Sequence, residues 1–114
     1  MKKLKWYPCA LLCHTIHSDG DFTVSELIET SKERGIKGIC LTDHNTYSGR
    51  EEAAKEKELA ILQGIEWTTY FGHMLVLGAD RFVEWRDAVP ENIDEKMKQV
   101  HAAGGLVGIA HPYQ

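Results

Sequence analysis

The run Ile36-Lys37-Gly38-Ile39-Cys40-Leu41-Thr42-Asp43-His44 carries most of the architectural information in this sequence. Its opening part, Ile36–Thr42, is nearly continuous in apolar character through Ile36, Ile39, Cys40 and Leu41. A strand with one wet face alternates apolar and polar residues. An unbroken apolar run instead predicts a strand covered on both faces, as in a parallel sheet flanked by helices. The polar end, Thr42-Asp43-His44, then falls at the C-terminus of that strand.

The flanking sequence supports this reading. Upstream, Cys9–His14 is a short apolar run with strand character, and Asp19-Gly20-Asp21 is a turn. Thr23 with Glu26 predicts a capping box, with Phe22 and Leu27 at the positions of a hydrophobic staple. Val24, Leu27, Ile28 and Ser31 follow the helical period, and Gly35 supplies the stop. Downstream, Ser48 with Glu51 repeats the capping pattern and predicts a charged helix to about Leu59. Ala60–Thr69 reads as a third strand and His73–Gly78 as a fourth, joined by a turn around Phe71-Gly72. Asp80–Val89 matches neither period. Asn92 with Glu95 predicts a last helix, with Ile93, Met97 and Val100 on one face and Gly104-Gly105 at its end. Leu106–Ala110 is a final strand, closed by His111-Pro112. The order β-α-β-α-β-β-α-β predicts an α/β protein, largely parallel, with intervening helices.

The chain has 114 residues, 43% hydrophobic and 26% charged, which suits a single globular domain over residues 1–114. A complete (β/α)₈ barrel needs roughly 250 residues, so a full barrel is not expected. With 13 Lys+Arg against 17 Asp+Glu, the net charge of −4 gives no electrostatic reason to expect nucleic acid as a partner. No apolar run reaches the roughly 18 residues that span a membrane, so no membrane partner is expected. The basic start Met1–Lys5 is followed by Trp6, Tyr7 and Pro8, and Cys9–Cys13 is too short for a secretory core. Cys9, Cys13 and Cys40 form no CxxC pair and read as free thiols. Together these features predict a cytoplasmic protein.

The chemistry-bearing residues share one address. His14, Asp43-His44, Glu66 and His111 each fall at or near the C-terminal end of a predicted strand, whereas His73 opens one. In parallel α/β folds those ends converge on the rim that holds the active site. Several imidazoles beside a carboxylate are the donor set of a transition-metal site.

At these residues the sequence resembles the PHP (polymerase and histidinol phosphatase) superfamily. Cys13-His14-Thr15-Ile16-His17-Ser18-Asp19-Gly20 is similar to its first motif, and Leu41-Thr42-Asp43-His44-Asn45 to its second. Gly64-Ile65-Glu66 is similar to the strand of the bridging glutamate, and Gly72–Gly78 to the next histidine strand. Ile109-Ala110-His111-Pro112 is similar to the third motif. The wording Glu66-Trp67-Thr68-Thr69-Tyr70 resembles the branch of small metal-dependent phosphoesterases. The resemblance implies a distorted (β/α)₇ barrel, here partial, binding divalent Mn, Zn or Fe and hydrolysing phosphate esters. It implies His14 and Glu66 as ligands of one metal and Asp19 and His44 of a second. Glu66, His73 and His111 are the implied ligands of a third. Asp43 is expected to orient a histidine, and Arg50, at a helix start, to meet phosphate. His17 occupies a variable position of the motif.

Two departures qualify these expectations. The first motif of the family reads H-x-H, and Leu12 stands at its first histidine. The late Asp-x-His motif is absent from these residues. By this count Glu66, His73 and His111 keep a whole ligand set and are the expected metal site. The implied partner is a small phosphorylated substrate, either a monoester or a nucleotide-derived diester. The alternative is a degenerate or truncated domain that binds metal or ligand, or self-assembles, without hydrolysis. An open half-barrel has bare edge strands, which predicts a homo-oligomer.

Overall fold

The computed structural model describes residues 3–113. Five strands form one curled sheet in chain order: β1 (Cys9–Cys13), β2 (Gly38–Leu41), β3 (Ala60–Thr69), β4 (Gly72–Leu77) and β5 (Leu106–Ile109). Three helices accompany them: α1 (Val24–Glu33), α2 (Arg50–Ala53) and α3 (Ile93–Ala102). The predicted element order is the observed one.

The sheet is mixed, which corrects the expectation of largely parallel pairing. β1–β2 and β2–β3 are parallel, but β3–β4 and β4–β5 are antiparallel. The cause is local. Thr69 pairs with Gly72, so only Tyr70 and Phe71 join β3 to β4. A connection that short forces a hairpin, because a parallel return needs a crossover of a dozen or more residues. Only β4 is reversed; β5, antiparallel to it, runs with β1–β3 again. The C-terminal ends of those four strands and the start of β4 therefore lie along one rim.

Each half of the sheet packs its own core. On the parallel side Ile39 and Leu41 of β2 meet Val24 and Ile28 of α1, with Cys13, Ala53 and Leu59. On the antiparallel side Ile65, Trp67 and Val76 meet Val100 and Ala103 at the end of α3, with Ala79 and Val83. Along β3 the alternation is strict where it matters. Ile65 and Trp67 face this core, and Glu66 and Thr68 face the other way.

The helix starts differ from one another. At α1, Thr23 caps the Glu26 amide at 3.1 Å and Glu26 answers the Thr23 amide, as expected. The other two predicted boxes do not form. α2 covers only Arg50–Ala53, and Gly49 is its cap with no side-chain bond. Ser48 is engaged instead by Thr46 and by His17, whose Nδ1 lies 2.7 Å from its hydroxyl. At α3, Asn92 stands at the cap position but turns its side chain to Val89 and Asp87. No helix among the described residues is long and apolar enough to cross a membrane.

Candidate metal centre

β1 ends against β2 through Thr42, whose hydroxyl accepts from the Cys13 amide at 2.9 Å. Beyond that point the chain turns through residues 14–20. Asp43 shapes this loop. Its buried carboxylate accepts from the Thr15 amide at 2.6 Å, the Thr15 hydroxyl at 2.9 Å and the Ser18 hydroxyl at 2.8 Å. Three donors compensate the buried charge. Gly20 closes the loop so tightly that a β-carbon there would lie 2.4 Å from the His14 carbonyl oxygen. Asp43 thus acts on His14 and Asp19 through the loop that carries them, and no bond from it to a histidine is present among the described residues.

Glu66 lies at the middle of the rim and is fully buried. Its Oε1 is 2.9 Å from His73 Nδ1 and 2.9 Å from His111 Nε2, and those two nitrogens are 3.0 Å apart. Its Oε2 is 3.0 Å from His14 Nε2 and 3.7 Å from His44 Nε2. One carboxylate oxygen therefore faces each histidine pair. The His14 and His44 rings stack with centroids 4.4 Å apart. Asp19, mostly exposed, places Oδ2 3.4 Å from His44 Nε2. The structure thus gathers His14, His44 and Glu66 into one cluster and Glu66, His73 and His111 into another. The first combines residues that the family resemblance divides between two metals.

The position of His73 follows from the reversed strand. Because β4 runs opposite to β3, His73 at its start sits directly across from Thr68, and Glu66 lies on its diagonal. His111 follows β5 with φ of +30°, a left-handed backbone just before Pro112. A non-glycine residue at positive φ is uncommon, so the chain holds this imidazole in a strained setting of the sort found at functional sites.

Thr68 is the residue that sequence reasoning passed over. Its hydroxyl donates to the Glu66 carbonyl and is bonded to His44 Nδ1. With a metal on its Nε2, His44 would carry its proton on Nδ1, and the Thr68 hydroxyl is the acceptor placed for it. Asn45, with φ of +55°, locks the same strand end. Its amide nitrogen donates to the Thr68 carbonyl at 3.1 Å, and its side-chain oxygen accepts from the Thr68 amide at 2.8 Å. An Asx residue directly after the histidine of a strand end was the available signal.

Other candidates lie apart from this centre. Arg50 is exposed and stacks its guanidinium over the Tyr47 ring at 5.8 Å. His17 faces Ser48 and Glu52. Leu12 is 43% exposed on the edge strand. Cys13 adjoins His14, but burial first, then Cys40 and Asp43, push its thiol up to about 11, so it offers no thiolate near neutral pH.

The sequence matches the PHP domain family over residues 11–103. The chain belongs to that family. A two-domain protein from Bacteroides vulgatus, containing a predicted PHP-like metal-dependent phosphoesterase, shares the fold of this PHP domain. Its TM-score is 0.72 at 19% identity, over 94% of this chain and 35% of that one. A Bifidobacterium adolescentis protein, provisionally described as a metal-dependent phosphoesterase, aligns with TM-score 0.59 at 30% identity, over 72% and 31%. A 5'-3' exoribonuclease from Haemophilus influenzae is 36% identical over 62 residues, which is 52% of this chain and 23% of the relative. The chain spans less than half the length of each of these proteins.

Proposed function

We propose that this PHP domain holds divalent metal, Mn, Zn or Fe, and that it serves hydrolysis of a small phosphate ester. The observation that carries the reading is Glu66. A fully buried carboxylate is ordinarily matched by a cation or by several N–H donors. Here one oxygen faces His73 and His111, and the other, Oε2, is buried beside His14 with no hydrogen-bond partner. His14 Nδ1 is likewise buried and unpartnered. Two ring nitrogens 3.0 Å apart on one carboxylate oxygen cannot both point protons at it without repelling. Converging lone pairs and an orphaned carboxylate oxygen fit a cation between them.

Glu66, His73 and His111 would hold one ion, and Glu66, His14 and His44, with Asp19 alongside, a second. Metal bound there would supply an acidified water and offset the charge that builds on the phosphoryl oxygens. The protein's own part is orientation. Thr68 sets the His44 tautomer, Asp43 fixes the loop of His14 and Asp19, and Glu66 ties the two pairs together. Domain limits of 1–114, a cytoplasmic location and self-association along the bare edges belong to the same proposal. The outer edges of β1 and β5 are unpaired among the described residues and carry exposed Leu11, Leu12, Leu106 and Ile109.

Leu12 favours a second reading, a domain that binds metal without hydrolysis. The deciding experiment measures metal content after loading, then hydrolysis of a panel of phosphate esters with Mn, Zn and Fe, beside Leu12→His. Hydrolysis by the unaltered chain is expected. Activity only with the added histidine would make Leu12 the lesion and support the second reading. Failure to take up any of the three metals would overturn both.

A further inference from the structure

Both hydrophobic cores lie on one face of the sheet. Ile61, Ile65 and Trp67 share a face of β3. Ile61 packs into the core of α1 and α2, and Ile65 and Trp67 into that of α3. The opposite face carries Glu66 and His73 at its rim end and leucines over the rest. Leu75 lies across from Glu66, Leu77 across from Gly64, and Leu106 across from Leu77. Leu62 precedes Glu66 on the same side of β3, and Leu11 and Leu12 occupy the irregular stretch of β1 between Ala10 and Cys13. None of these leucines belongs to either core. Leu62 is 45% exposed and Leu106 69%, so among the described residues this face is uncovered. A β-carbon on Gly108 would meet nothing within 4 Å. A sheet face left to water is ordinarily polar, and a contiguous apolar one marks an interaction surface.

The two edges specify the cover. β1 and β5 are each unpaired on their outer side among the described residues, and they run in the same direction. β5 of one copy therefore accepts β1 of another as a parallel neighbour, the pairing that β1 already makes with β2. Neither strand carries the charge or proline with which a solvent-facing edge is usually protected: β1 reads Cys-Ala-Leu-Leu-Cys and β5 Leu-Val-Gly-Ile. Although the chain has a net charge of −4, no Asp, Lys or Arg of β2–β5 points to the leucine face, so two such faces do not repel.

We propose that a second copy of this chain covers the leucine face, with β5 of each copy paired to β1 of the other. This rests on the self-association included in the proposed function and assigns it a face and a partner strand. A two-fold axis along the common strand direction makes both seams at once, so the curled sheets close on each other and no edge remains. The leucines of both copies then fill the interior. His111 of one copy and His14 of the other come to end adjacent strands of the same rim. Each Glu66 centre keeps its ligands from its own chain and stands at the mouth of a dry interior.

Sedimentation of the unaltered chain should show a dimer that does not grow further with concentration. Leu62→Glu, at an exposed position of the face, should keep the circular dichroism of the unaltered chain. It should raise the dimer dissociation constant by more than about 100-fold, the scale of a carboxylate buried without a partner. A cross-link tests the seam itself. Cys9 opens β1 and is exposed, and Leu106 opens β5. Leu106→Cys treated with a short bis-maleimide should join covalently to Cys9 of the second copy, and Cys9→Ser should remove that product. Lys98→Cys, exposed on α3, should give none. A monomer at every concentration, or a chain that keeps adding copies, would overturn the proposal. A dimer that Leu62→Glu leaves intact and Leu106→Cys does not cross-link would overturn it too, while self-association through another face stood. The monomeric Leu62→Glu should still take up Mn, Zn or Fe. If the dimer closes as described but no metal is taken up, the phosphoesterase reading fails and the interface stands.

Discussion

His14 and His44, on the parallel side, each follow a strand whose partner runs the same way, and both reach the rim by the ordinary rule of α/β folds. His73 and His111, on the antiparallel side, reach the same rim from opposite ends of their strands. In the parallel pair, His14 opens a loop held by Asp43, and His44 forms a backbone bridge with Glu66 and meets Thr68 at Nδ1. The antiparallel pair is fixed by strand register and by a strained backbone at His111. Only Glu66, on the shared strand β3, belongs to both. The comparison teaches that one reversed strand lets a single carboxylate face two histidine pairs that reach it by different routes.

Glu66→Gln should therefore have the largest effect. It removes the anionic oxygens from both sets, and metal affinity at both should fall by more than about 100-fold. Histidine changes should divide the loss. His111→Ala should abolish one bound metal per chain and leave the other, and His14→Ala should do the converse. Metal stoichiometry by elemental analysis and calorimetry checks this. Loss of both metals from either histidine variant would break the comparison.

Asp43→Asn comes next and acts on one half only. The amide group must turn a donor toward Thr15 or Ser18, each already a donor to this carboxylate. A cost of about 2–4 kcal/mol in urea unfolding is expected. Metal held by Glu66, His73 and His111 should survive in the folded fraction, while the His14–His44 pair should bind less tightly.

Thr68→Val sharpens the contrast further. It keeps the shape of the side chain and removes the acceptor for His44 Nδ1–H. Affinity at the parallel pair should fall about 10- to 100-fold, with Thr68→Ser restoring most of it. Nitrogen shifts of the His44 ring in the metal-free protein report the tautomer directly. An unchanged tautomer in Thr68→Val would remove the positioning role.

How much of this could be read from sequence differs between the halves for a physical reason. The apolar run of Ile39–Leu41, the Thr23–Glu26 box and the strand-end placement of His14 and His44 are local signals, and they read through to the structure. The antiparallel half depends on longer-range facts. The two-residue hairpin at Tyr70-Phe71 already implied a reversed β4, yet the parallel expectation overrode it. Asn92 looked like a cap because capping is its local option, but the turn at Val89 competes for the same side chain. Ser48 failed as a cap because His17, far away in sequence, takes its hydroxyl. The four histidines and Glu66 were singled out from motifs, whereas their grouping around Glu66 required the register of β3 against β4.

The smallest expected effect again separates the halves, through pH. Glu56 accepts from Lys32 at 2.9 Å and from the amides of Glu58 and Leu59, tying α1 to the entry of β3. The Lys32 bond first, then the Leu59 amide, hold its carboxyl below the ordinary value of 4.5. A group lowered in this way stabilises the fold above its unfolded value and loses that contribution as pH falls through its folded one. Lys32, raised above 10.5 chiefly by the same bond, loses its contribution only in strong alkali. Urea midpoints of the wild type should therefore decline as pH drops below about 4.5. Glu56→Gln should flatten that decline slightly, because the pair is only part-buried and solvent still screens it. High salt should reduce the difference between the two proteins, since screening weakens exposed pairs first. The antiparallel half has its own acid-sensitive contact, Asp87, whose carboxyl the bond from Lys96 holds below its ordinary value. Glu56→Gln should therefore change amide exchange in acid around α1 and β2 and leave that of α3 as it was; a change in α3 instead would remove Glu56 as the acid-sensitive contact of the parallel side.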